Sequence, residues 1–143
     1  MKRSLFIATF LLLLCLPVQA LASDAGHPER VVYHLDDSSN ARWAMTLANA
    51  HLKQNAKAQI VIVAHGPGIR FLIEGAEDGN GNLYEPDVFG LAGKGVEFKA
   101  CAATLDFMDI PPEKVLEEAK MVPSGAYEIV RLQTHEGYAY LKP

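Results

Sequence analysis

Cysteine is scarce in this chain. Its 143 residues hold two, Cys15 and Cys101. No C-x-x-C pair and no H-x-x-x-H spacing occurs, so the usual sequence signs of a zinc or copper site are missing. Basic clusters are missing too beyond the first three residues, which removes the footprint that binding to nucleic acid requires. Around Gly66-Pro67-Gly68 there is neither a G-x-G-x-x-G pattern nor a P-loop lysine, leaving nucleotide binding without support. No internal repeat or low-complexity segment interrupts the chain, and a long apolar run occurs once, at the start.

That run extends from Leu5 to Val18, behind Lys2 and Arg3 and ahead of Ala20-Leu21-Ala22. Positive, apolar and small residues in that order make a secretory signal, and the run is short for a membrane span. Cys15 does not suit a lipoprotein anchor, since Leu14 precedes it and apolar sequence continues beyond it. Residues 1–22 are therefore expected to leave by cleavage between Ala22 and Ser23 after Sec-type export, giving a periplasmic or secreted product with no membrane attachment. Removing 22 of the 143 residues leaves 121, enough for one domain over residues 23–143. Lys2 and Arg3 leave with the signal, so 11 basic residues face 17 acidic ones and the net charge becomes −6.

Cys15 is lost in the same cut. Cys101 then stands alone, and an intramolecular disulfide is excluded. A lone thiol in an oxidising compartment is buried and inert, paired between chains, or retained because it reacts. Composition alone tips toward the buried reading, because free cysteine is among the most buried residue types.

Periodicity predicts alternating strands and helices. Arg30–Leu35 is a β-rich strand, followed by helix-capping candidates from Asp36 to Asn40. Ala44, Leu47, Ala48 and Leu52 recur at helical spacing within 41–54, and Gln59–Ala64 is the continuous aliphatic run of a central parallel strand. His65-Gly66-Pro67-Gly68 is a loop, Ile69–Ile73 is undecided between helix and strand, and 74–83 is a polar loop. Pro86 and Asp87 open a helix ending at Gly93 or Gly95. Val96–Ala100 is a third strand handing over at Cys101 to a helix over 102–108. A short helix from Pro111-Pro112 to Glu118, a brief strand at Met121-Val122, a helix from Ala126 to about Thr134 with Ile129 and Val130 inward, and a strand at Tyr138–Leu141 complete the chain. The expected fold is a three-layer α/β/α sandwich around a five-stranded parallel sheet. In a domain of this size Trp43, Tyr84, Phe89 or Phe107 exposed at the surface would gain by burial between subunits.

Loops beyond the carboxyl ends of parallel strands share one edge, where sites form. His34, His65 and Cys101 fall at the ends of the first three strands. A thiol at a helix N-terminus meets unpaired N–H groups that favour its anion. The two histidines are candidate charge or hydrogen-bond partners. A copper or zinc site on Cys101, His34 and His65 would want a fourth donor, and Asp36-Asp37 is better explained as helix capping than as catalytic carboxylates.

The ordered set His34, Trp43, Asn49, His65-Gly66-Pro67-Gly68, Gly95 to Cys101 with Thr104, Val122-Pro123-Ser124-Gly125, Leu132-Gln133 and Gly137 to Pro143 resembles the DsrE/DsrF-like family. The resemblance implies a five-stranded parallel sheet between helices and assembly as a homotrimer or homohexamer. It implies that Cys101 accepts and passes sulfane sulfur as a persulfide, exchanging it with small sulfur compounds or a thiol protein, with no cofactor. The chain departs from the cytoplasmic relay members in its expected export and in having no second cysteine after the signal. The rival reading is a non-catalytic oligomeric binding or assembly module in which Cys101 is core packing.

Overall fold

A computed structural model describes residues 28–143; the expected signal and its cleavage point lie outside the described residues. From Arg30 onward strand and helix alternate. The order is β1 (Arg30–Leu35), α1 (Ala41–Gln54), β2 (Gln59–Ala64), α2 (Glu85–Ala92), β3 (Glu97–Cys101), α3 (Ala102–Phe107), β4 (Ala119–Val122), α4 (Gly125–Glu136) and β5 (Ala139–Leu141). Short 3₁₀ turns occupy Ser38–Asn40, Gly66–Leu72 and Pro112–Lys114. The five strands form one sheet in the order β4-β3-β2-β1-β5, every neighbouring pair parallel and the sheet flanked by helices. No helix among the described residues is long and apolar enough to cross a membrane.

Side chains alternate across a strand, so each strand feeds two cores. Tyr33, Leu35, Ile60, Ile62, Phe98 and Ala100 face α1, α2, α3 and the Gly66–Leu72 turn, whose Ala44, Ala48, Phe71, Val88 and Leu105 complete a large core. On the opposite face Val32, Val61 and Val63 meet only Ile129 and Leu132 of α4, together with Tyr138. Beside this small core Glu128 is buried and takes hydrogen bonds from Lys99 of β3 (2.5 Å) and from Arg131 (2.8 Å).

Local chemistry sets the element ends. The Asp37 carboxylate accepts from the Ser39 N–H at 2.8 Å, and Ser124 caps α4 by accepting from the Tyr127 N–H. Pro86 sits in the first turn of α2, which stops at Gly93. The loop after His65 and the undecided segment from Ile69 form one 3₁₀ turn as far as Leu72, and Ile73 is extended. Past Pro111-Pro112 the structure corrects the expected helix to a single turn at Pro112–Lys114, because the next residues pair elsewhere. Val115 bridges Ile73 and the Leu116 N–H donates to the Leu72 carbonyl at 2.9 Å.

Two inward and outward assignments also change. Ile129 is buried, but Val130, one residue and about 100° further round the helix, is exposed. Trp43, Phe89 and Phe107 are exposed as expected, whereas Tyr84 is buried. Its ring packs edge-on to Phe71, its hydroxyl donates to the Ser38 carbonyl, and the Arg42 guanidinium lies 4.7 Å above it. Arg42 also holds the 78–87 segment, bonding Asp78, Asp87 and the carbonyls of Asn82 and Leu83.

Candidate functional site

The carboxyl edge of the sheet carries the three residues singled out by sequence, all on the face covered by α4. His34 lies opposite Val63 in the parallel register and shares its face with Val32. His65 follows β2 with the parity of Val63, and Cys101 ends β3 with the parity of Lys99. Sheet geometry alone therefore turns all three side chains the same way.

The histidines meet directly. Their Nε2 atoms are 2.6 Å apart, and the rings stack at 4.7 Å between centroids with 22° between planes. His34 Nδ1 lies 2.6 Å from the Tyr140 hydroxyl, which arrives from β5 because Tyr140 stands opposite Val32. Two nitrogens at that distance hold one proton between them, so each ring takes a complementary role. Burial holds the His34 imidazole below its ordinary range. The neighbouring His65 adds to that effect, Asp36 works against it and Lys142 again lowers it. Asp36 and Lys142 are themselves paired at 2.5 Å.

Cys101 is 5% exposed. Burial pushes its thiol up, but the Thr104 hydroxyl and the backbone N–H groups of Gly125, Thr104 and Ala103 outweigh burial, and the net shift is downward. The Cys101 side chain makes no capping hydrogen bond to α3, and the surrounding donors act by favouring its anion. The Thr104 oxygen accepts from the Gly66 N–H at 3.0 Å, which leaves its own proton free for the sulfur. Gly125 opens α4, so the first turns of two helices meet at one sulfur.

Gly125 also links the thiol to the histidine row. A Cβ at that position would come within 2.9 Å of the His65 Cβ and 3.2 Å of the Cys101 Cβ. Both side chains thus flank one glycine that nothing larger can replace without displacement. The structure brings His34 and His65 into contact, sets His65 and Cys101 on either side of Gly125, and does not join His34 to Cys101. Among the described residues no three His, Cys, Asp or Glu side chains converge as metal ligands.

Sequence reasoning did not select Tyr140 or Gly125 for the site. Tyr140 becomes relevant only once β5 is known to lie beside β1. Gly125 carried a signal in its position directly after the capping Ser124.

These features define an open parallel α/β domain with a single thiol at the carboxyl edge of its sheet. Residues 31–143 match the DsrE/DsrF-like family, and the chain belongs to that family, which is associated with sulfur transfer. Among solved structures it is similar to MTH1491 from Methanobacterium thermoautotrophicum, a protein of unknown function. Identity is 34% and the TM-score 0.71, over 80% of this chain and 99% of that one. It also shares its fold with the ychN protein from E. coli, at 14% identity and a TM-score of 0.66, over 82% of this chain and 100% of the other. No curated protein matches it.

Proposed function

We propose that this chain is an exported, cofactor-free sulfur carrier, periplasmic or secreted, in which Cys101 takes up sulfane sulfur as a persulfide. The observation that supports it most is the ring of donors around the buried sulfur, which favours the anion despite burial. The thiolate attacks the outer sulfur of a donor such as thiosulfate or a persulfide. A bond forms from Cys101 Sγ to that sulfur as the donor's own bond to it breaks. The rest of the donor departs with the electron pair as sulfite or a thiolate, and Cys101 holds the Cys–S–S⁻ group until an acceptor thiolate takes the sulfur. Sulfur passes between thiolates with no external oxidant. Small sulfur compounds or a thiol protein would serve as donor and acceptor.

Mass spectrometry after exposure to polysulfide or thiosulfate is expected to show whole sulfur atoms added at Cys101 and none in Cys101→Ser. An unmodified, alkylation-resistant thiol would sink the reading.

The 5% exposure of Cys101 favours a second reading, a non-catalytic oligomeric module with Cys101 as packing. In that case Cys101→Ala lowers the melting temperature clearly and no sulfur adds to the native protein. Either way an oligomer is expected, because Trp43, Phe89 and Phe107 are exposed, and the family resemblance implies a homotrimer or homohexamer. Light scattering that gives a clean monomer would contradict this.

A further inference from the structure

The sulfur chemistry above leaves one titratable cluster without a defined task, the row from Tyr140 through His34 to His65. We propose that these three side chains form one proton-holding unit, which takes up a single positive charge in mild acid beside Cys101 and steers that thiol toward small anionic sulfur donors of the thiosulfate type. Only the donor's identity rests on the sulfur-carrier reading; the charge switch belongs to the resting protein.

The geometry counts protons. With none added, the Tyr140 hydroxyl donates to His34 Nδ1 and the His34 Nε2–H donates to His65 Nε2, so every contact at 2.6 Å is a hydrogen bond. One added proton is accommodated when the Tyr140 hydroxyl turns from donor to acceptor. The nitrogen pair then still holds one bridging proton, and the charge spreads over both rings. A second added proton would set N–H against N–H at 2.6 Å and break the stack. The row therefore accepts one charge readily and resists two.

Its surroundings do not supply the charge by other means. Asp36 favours protonation of His34 and Lys142 opposes it, but the two are paired with each other at 2.5 Å. From α4 the residue packed on His65 is the uncharged Gly125, and the acid of its first turn, Glu128, is already bound by Lys99 and Arg131. Burial holds the His34 imidazole below its ordinary range, so a charge on that ring arrives only on acidification. Cys101 flanks the same glycine as His65 and is almost closed to solvent, which suits a small donor.

The test compares alkylation of Cys101 by iodoacetate, an anion, with alkylation by iodoacetamide, a neutral reagent of similar size, from pH 8 to pH 5. Access and thiolate fraction cancel in the ratio of the two rates. The ratio is expected to rise about three- to tenfold on acidification, the effect of one nearby charge at partial screening, and to stay flat in His65→Gln. Imidazole NMR gives an independent reading. His34 and His65 are expected to titrate as a coupled pair in two steps more than about one pH unit apart. Tyr140→Phe removes the donor to the neutral row and the acceptor for both charged rows. Because a hydrogen bond to a charged ring is the stronger, the first step should move to lower pH.

A flat ratio in the native protein, or two histidines titrating independently, overturns the proposal, and both readouts stand if His65→Gln does not fold. A rising ratio without sulfur uptake overturns the carrier reading alone, and uptake with a flat ratio overturns the charge switch alone.

Discussion

The two faces of the sheet are built unequally. One is covered by α1, α2, α3 and the Gly66–Leu72 turn, and its core runs without a charged group from Tyr33 to Leu116. The other carries α4 alone, with Val32, Val61, Val63, Ile129, Leu132 and Tyr138 as its buried apolar set and the Lys99–Glu128–Arg131 cluster beside them. His34, His65 and Cys101 all lie on this second face. The thick face holds the fold, and the thin face leaves room at its edge for polar groups that a dense core would exclude. Hydrophobic burial scales with apolar area, so thinning one face costs stability that the other supplies.

The sharpest way to break this comparison is Gly68→Ala. A Cβ there would lie 2.3 Å from the Leu35 carbonyl oxygen and 2.9 Å from the Asp36 carbonyl carbon, both backbone atoms that cannot step aside. A loss of about 4 kcal/mol or more is expected in denaturant unfolding, or no folded protein at all.

Next comes a matched pair. Ile62→Ala in the thick core should cost about 4 kcal/mol, and Ile129→Ala under α4 about 2 kcal/mol, because the second cavity opens near the surface and collapses more easily. Equal losses would show the faces to be equivalent.

A third test acts through pH. The Arg131 guanidinium, helped by Lys99 and opposed by burial, holds the Glu128 carboxyl at about 2 against an ordinary 4.5. A carboxyl lowered by folding contributes stability that is full above 4.5 and fades as pH falls toward 2. Stability measured from pH 6 down to 2 should drop by a few kcal/mol on this account, and Glu128→Gln should flatten that part of the curve. His34 adds a smaller slope of the same sign, because its imidazole is also lowered. Its contribution is present above the ordinary histidine range and is lost in acid.

The smallest effect is expected at Lys114, whose 3.4 Å pair with Glu74 is more than half exposed at both ends. Lys114→Ala should change stability by less than about 0.5 kcal/mol.

Much of this was legible in the sequence. The aliphatic run 59–64 and the helical spacing over 41–54 give the parallel sheet, and the placement of His34, His65 and Cys101 at strand ends follows from it. What escaped depended on partners distant in sequence. Pro111-Pro112 is a sound helix-opening signal, yet the backbone after Lys114 finds better partners in Leu72 and Ile73. Tyr84 looked like a surface aromatic because nothing local announces that Phe71, Arg42 and the Ser38 carbonyl enclose it. The meeting of Tyr140 with His34 required knowing that the last strand returns beside the first. That neighbour relation belongs to topology rather than to composition.

The contact of Gly68 with the end of β1 has a dynamic consequence. The His65 N–H donates to the Leu35 carbonyl and the Gly68 N–H to the Asp36 carbonyl, so the segments carrying the two histidines are joined backbone to backbone. Opening either bond would require the two strand ends to part, and the thick core resists that separation. The imidazole pair is therefore carried on one rigid body. In hydrogen-exchange terms the amides of His65 and Gly68 should be released only with global unfolding, as slowly as those at the centre of β2.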